Sequence, residues 1–217
     1  QFDQHGVWRR EFAQQLKRLA DWMATHDLMD AAVQERLQRL EDQVRSDKVM
    51  VAFVAEFSRG KSELINAIFF ADYGRRIMPA SAGRTTMCPT ELGYDANVAP
   101  SLRLLPIETR LQMQSLAEWR VKADRWHEIP LDVGNADQIA KALEKVAEVR
   151  KVSLDNARAL GFWHDDLTDE NPVPDAQGMV EVPMWRHAII NIPHPLLKQG
   201  LVILDTPGLN AVGAEPE

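Results

Sequence analysis

Residues 49–70 read VMVAFVAEFSRGKSELINAIFF, and the order of parts within this stretch decides the fold. An apolar run from Val49 to Val54 leads through a loop holding Gly60, Lys61 and Ser62 into an apolar-periodic segment. A phosphate cradle needs that order. The strand anchors the loop, and the helix start turns free N–H groups and the positive end of its dipole towards an anion. Val49, Val51 and Phe53 alternate with Met50, Ala52 and Val54, so the run is apolar on both faces and predicts a central parallel strand. Leu64, Ile65, Ala67, Ile68 and Phe69 fall at the three-and-four spacing of a helix packed on a sheet.

The P-loop pattern is Gly, four residues, then Gly-Lys-Ser/Thr. Ala55-Glu56-Phe57-Ser58-Arg59-Gly60-Lys61-Ser62 meets it except at Ala55, which is tolerated where φ is negative. The phosphate-binding candidates are therefore Glu56, Phe57, Ser58, Arg59, Gly60, Lys61, Ser62 and the adjoining Glu63. Backbone N–H groups of the loop would cradle the phosphates. Lys61 would reach the terminal ones, and the Ser62 hydroxyl would enter the shell of a Mg²⁺ ion.

With 217 residues, 45% of them apolar, the chain can hold one α/β domain and an appendage. A formal charge of −7 gives no basic face for nucleic acid or anionic lipid, so any membrane contact is expected through parts outside this chain. The apolar runs are far shorter than the roughly 20 residues of a spanning helix, and no leader-like apolar region opens the sequence. The lone Cys88 excludes a disulfide framework and fits a reducing cytosol. The expected location is the cytoplasm, with peripheral association at the inner face of the membrane.

Ahead of the P-loop, Val7, Phe12, Leu16, Leu19 and Met23, flanked by Trp8, Ala20 and Trp22, predict a helix over about residues 4–25. Met29, Val33, Leu37, Leu40 and Val44 predict a second, to about residue 46. An antiparallel hairpin over residues 1–47 follows, either an appendage covering a sheet face or part of a bundle completed by other segments. Residues 48–217 then form the nucleotide domain, with a helical insertion at about 107–183.

Tyr73 to Thr90 lacks periodicity and reads as a loop, whose Thr85, Thr86 and Thr90 offer hydroxyls to phosphate and metal. Leu102 to Leu105 predicts a strand. Residues 107–162 read as mainly helical, the later segment running past Val152 towards Leu160. Residues 163–183, acidic and Pro-containing, read as a solvated loop, and the spacing of their carboxylates fits no calcium loop. His127, His164, His187 and His194 have no metal-ligand spacing. Ala188 to Ile192 and Leu201 to Leu204 predict strands, the second running into Asp205-Thr206-Pro207-Gly208. A carboxylate at the C-terminal end of such a strand can hold Mg²⁺ through water, and the Gly208 N–H can meet a γ-phosphate.

Taken together, the three elements resemble a GTPase of the dynamin superfamily, and their details are similar to the bacterial dynamin-like proteins. The residues that carry the resemblance are Glu56 to Ser62 with Leu64-Ile65-Asn66-Ala67, then Gly83-Arg84-Thr85-Thr86 with Pro89-Thr90 as switch I, then Leu201 to Leu209 as switch II. The fold implied is α/β, a three-layer P-loop NTPase of GTPase type, incomplete here and preceded by the helical hairpin as neck helices. The resemblance implies GTP and GDP as ligands with Mg²⁺, and a monovalent cation placed by Ser58. It makes Ser58, Lys61, Thr86 and Gly208 the catalytic candidates, and Ser62, Thr86 and Asp205 the metal ligands. Phe57 stands where eukaryotic dynamins carry Gln, so water positioning would fall to Ser58 and backbone groups. A guanine-specificity motif is expected many tens of residues beyond switch II; Val121-Lys122-Ala123-Asp124 is only a decoy. A homodimer across the nucleotide face and a membrane-remodelling role are also implied. A soluble partner switch, or a non-hydrolysing scaffold suggested by Ala55 and Phe57, remain as alternatives.

Overall fold

The computed structural model describes residues 2–26, 28–45, 48–53, 60–79, 88–165 and 171–206. The chain divides into two units, Gln1–Val49 and Met50–Glu217.

In the first unit, α1 (Phe2–Thr25) packs against α2 (Ala31–Arg45). Asp30 caps α2, its carboxylate accepting the Val33 N–H at 2.7 Å. Ala13 is buried, and Leu16, Ala20, Met23, Val33, Leu37 and Val44 are half-buried. Phe12 and Leu19, which the spacing assigns to the packed stripe, are exposed together with Trp8 and Trp22. Trp8 stacks on Phe12 with ring centroids 5.2 Å apart.

The second unit runs β1 (Val49–Phe53), α3 (Lys61–Phe69), β2 (Thr90–Gly93), β3 (Ser101–Pro106), α4 (Leu116–Arg120), β4 (His127–Pro130), α5 (Ala136–Leu143), β5 (Val149–Ser153), α6 (Leu154–Ala159), β6 (Met179–Pro183), β7 (Trp185–Asn191), α7 (Pro195–Lys198), β8 (Leu201–Asp205). Among the described residues six strands form one sheet in the order β1-β8-β2-β7-β3-β4, and β5 and β6 form a separate pair. Strand β2 is parallel to β7 and antiparallel to β8, and β3 is antiparallel to β7 and β4. Thr90 stands opposite both Ala188 and Asp205, while Gly93 stands opposite Asn191, so Asp205 and Asn191 mark opposite ends of the sheet.

Alternation along the strands makes two faces. Leu92, Leu102, Leu104, Ala188, Ile190 and Ile203 share a core with Ile65 and Phe69 of α3 and Ile139 and Leu143 of α5. Leu105 and Ile189 face the other way, under Trp119 of α4 and Trp126. The result is a mixed α/β sheet covered on both faces, as expected of a P-loop GTPase fold. A separate small core joins Val152, Ala157, Leu160, Val180 and Val182, from β5, α6 and β6.

Several expectations are corrected. β1 stands at an edge of the described sheet, with Val49, Met50 and Val51 exposed, so its two apolar faces do not make it central here. Residues 107–162 are largely short helices and 3-10 turns, as expected, but they also contain β4 and β5, and the helix expected across Val152 is replaced there by a strand. Val149 and Val152 sit at a helical spacing, but pairing of Val149–Ser153 with Met179–Pro183 overrides it. That pairing also turns the end of the expected solvated loop into β6, where Val180 and Val182 are buried and Glu181 is exposed. Strand β2 begins at Thr90, where the sequence predicts the end of a loop, its alternation masked by a buried glutamate, Glu91. The Val121 to Asp124 stretch is no continuous helix; Ala123–Arg125 form a short 3-10 turn.

Candidate functional site

The site grows from the start of α3. Gly60, its N-cap, has φ 83° and ψ 15°, the left-handed region. Among the described residues, chain neighbours aside, no atom lies within 4 Å of where a Cβ would stand, so the left-handed backbone is what favours glycine there. The first-turn amides that follow lack intrahelical acceptors and sit at the positive end of the helix. The inward stripe of α3 is Ser62, Ile65, Asn66 and Phe69. Leu64 and Ile68, expected on that stripe, are exposed. The helix is turned so that two polar residues face in.

Lys61 crosses from α3 to the end of β8. Its ammonium donates to the Thr206 carbonyl and lies 3.5 Å from Asp205 Oδ1. The Thr206 hydroxyl donates to the Phe53 carbonyl at 3.4 Å, so the ends of β1 and β8 and the start of α3 meet at one place. Asp205 is 5% exposed, and its Oδ1 makes no hydrogen bond among the described residues. Burial raises the Asp205 carboxyl above the usual carboxylate range, with Lys61 only partly offsetting it. A buried carboxylate oxygen beside Lys61, with the buried Ser62 the next residue of the chain, is a hard-oxygen donor set that suits Mg²⁺. That ion takes few protein ligands and completes its shell with water and phosphate. Among the described residues no group of three or more His, Cys, Asp and Glu gathers as a metal site.

Of the candidates read from the sequence, Gly60, Lys61, Ser62 and Asp205 fall in this region. Glu63 follows them, but its carboxylate is exposed and paired with Arg76, leaving its main chain as the part that could meet phosphate. Glu56, Phe57, Ser58, Arg59, Thr86 and Gly208 lie outside the described residues.

Two features went unread in the sequence. Asn66 is a buried carboxamide bonded to Ser62, and its signal was a polar residue at four-residue spacing from Ser62 within an apolar helix. The other is Glu91 on β2, buried beside Arg120 of α4. Arg120 Nη1 is 3.3 Å from Oε1, and His187 Nε2 is 3.9 Å from Oε2. Burial alone would raise the Glu91 carboxyl, but His187 and Arg120 outweigh it and hold it down at about 2. Two residues before β2, Cys88 is buried, and that burial pushes its thiol up to about 12, with Thr90 donating to the Cys88 carbonyl at 3.1 Å.

The model of the dynamin family matches residues 51–216. The chain belongs to the dynamin family. Its second unit is thus a dynamin-family GTPase domain, which implies binding of GTP and GDP, with Mg²⁺ typical of such domains. Two solved structures are similar in outline. Both are described as an oligomerised bacterial dynamin pair that provides a mechanism for the long-range sensing and tethering of membranes. One is 14% identical, with TM-score 0.38 over 97% of this chain and 30% of the other. The second is 15% identical, with TM-score 0.36 over 96% of this chain and 24% of the other. The chain thus spans less than a third of the solved chains it matches. No curated protein matches it. Among the described residues no helix is long and apolar enough to cross a membrane.

Proposed function

We propose that the complete protein binds GTP with Mg²⁺, hydrolyses it, and couples turnover to membrane remodelling. The observation that carries this reading is the meeting of Lys61 with Asp205 and Thr206 in a dynamin-family domain. Lys61, leaving the Thr206 carbonyl, would meet the terminal phosphates as a point charge. The Ser62 hydroxyl and the Asp205 carboxylate would hold Mg²⁺, which when bound neutralises charge developing on the phosphoryl oxygens. Phosphoryl transfer needs placement and charge stabilisation more than a strong base. Ser58 would place the attacking water and a monovalent cation, Thr86 would add a metal ligand, and Gly208 would donate to the γ-phosphate.

In this reading two copies face each other across their nucleotide sites, and membrane contact comes through parts outside this chain. The protein works in the cytoplasm, peripheral to the inner face of the membrane. Hydrolysis of GTP and ATP by the full-length protein, over a range of concentrations with and without liposomes, is the test. Turnover selective for GTP that rises with concentration and lipid is expected. Equal affinity for ATP and GTP would sink the proposal. Flat, lipid-blind turnover would leave a soluble partner switch, and tight binding without hydrolysis a scaffold.

A further inference from the structure

We propose that Asn66 is a positioning residue of the nucleotide site, its carboxamide tying the main chain of Ser62 to that of Ile77 and Met78 and so setting the first turn of α3. The inference rests on the nucleotide-binding reading above. Asn66 Nδ2 donates to the Ser62 carbonyl at 2.9 Å and to the Met78 carbonyl at 3.0 Å. Its Oδ1 accepts the N–H groups of Ile77 at 2.9 Å and Met78 at 2.7 Å. A carboxamide offers two donor hydrogens and two acceptor lone pairs, and here all four are used. An aspartate would only accept, and an isosteric leucine would do neither.

The segment it catches is itself fixed. Ile77 and Met78 are each 2% exposed and belong to the same core as Ile65 and Phe69. The clamp therefore joins the first turn of α3 to a part of the chain with little freedom to move. Ser62 stands at the end of that clamp, and Lys61, one residue before it, reaches Asp205 and Thr206. Releasing the clamp frees the Ser62 peptide to tilt, which shifts both its hydroxyl and the neighbouring amides. A polar side chain facing a core costs stability unless fully bonded. Here one of the four partners is the main chain of Ser62, whose position bears on metal and phosphate, which sets Asn66 apart from an ordinary buried amide.

The test uses the full-length protein with Asn66→Ala and Asn66→Ser, titrating GDP in MgCl₂ and in EDTA beside thermal melting. The readout is the ratio of the two dissociation constants, which reports Mg²⁺ held at Ser62 and which a general loss of stability does not move. In Asn66→Ala the ratio is expected to shrink about ten-fold, the scale of one to two lost hydrogen bonds. In Asn66→Ser it should shrink about three-fold. The serine hydroxyl can still donate to the Ser62 carbonyl, but Ile77 and Met78 are released. If the alanine variant does not fold, the serine variant carries the test. An unchanged ratio with a lowered melting temperature would overturn the proposal and leave Asn66 a purely structural residue. Absence of GDP binding in the unsubstituted protein would overturn the nucleotide reading, and this proposal with it.

Discussion

A fully bonded buried asparagine serves each of two regions, Asn191 at one end of the large sheet and Asn66 on α3, yet the two regions leave different things behind. At the end marked by β7, Asn191 Oδ1 accepts the Asp95 N–H at 2.7 Å. Its Nδ2 donates to the Val98 carbonyl at 2.8 Å, with the Ala99 and Asp95 carbonyls at 3.2 and 3.3 Å. The turn after β2 is thereby pinned, and the carboxamide that pins it has its hydrogen bonds made within the fold. At the other end Asn66 is equally well bonded, but Lys61 nearby rests on the Thr206 carbonyl, and Asp205 keeps a buried oxygen with no hydrogen bond among the described residues. The described residues do not by themselves satisfy that end. A buried charge with unused bonding capacity costs stability and persists where a ligand completes it. Among the described residues one end of the sheet is closed by its own chain, while the other keeps bonding capacity on Asp205.

Substitutions can break or sharpen this contrast. Lys61→Ala in the full-length protein removes the only cation placed on the Asp205 end by the described contacts, and GTP turnover measured by phosphate release should fall about a thousand-fold. Turnover within a few-fold of normal would mean that the open end is not where the chemistry occurs. Between the two ends, Glu91 provides an acid-sensitive tie. Its carboxyl is held at about 2 against an ordinary 4.5, so its stabilisation is fully present above 4.5 and is lost as pH falls from there towards 2. Urea melts at pH 7 and pH 3 should show this loss, up to about 3 kcal/mol over the whole range, and Glu91→Gln should flatten it.

Asn191→Ala tests the closed end. It leaves carbonyls and an N–H of the turn unpartnered and should cost about 2 kcal/mol in urea unfolding. Its GDP affinity in MgCl₂ should stay as it was. A parallel loss of affinity would show that the two ends are not independent.

The smallest effect is expected in the pH dependence of the metal. Asp205 has a raised carboxyl, so on acidification it takes up its proton at a higher pH than an ordinary aspartate and gives up a Mg²⁺ ligand. The Mg²⁺-dependent gain in GDP affinity should therefore decline from neutrality towards the carboxylate range, by up to about ten-fold. In Asp205→Asn that decline should be absent. A decline of the same size in the variant would assign it to another group.

Local order along the chain was enough to read the Gly60-Lys61-Ser62 turn, the strand before it, the helix after it, and a second strand ending in Asp205. Each depends on residues within a few positions of one another, where period and turn chemistry act directly. Only the tertiary structure put β1 at an edge of the described sheet, paired β5 with β6, buried Glu91 in β2, and turned α3 so that Asn66 faces in while Leu64 and Ile68 face out. The physical reason is distance along the sequence. Arg120 lies 29 residues from Glu91 and Thr206 lies 145 from Lys61, and periodicity says which residues share a face but not what that face meets. The letters of the phosphate loop were local; the carboxylate and carbonyl that its lysine meets were supplied by the fold.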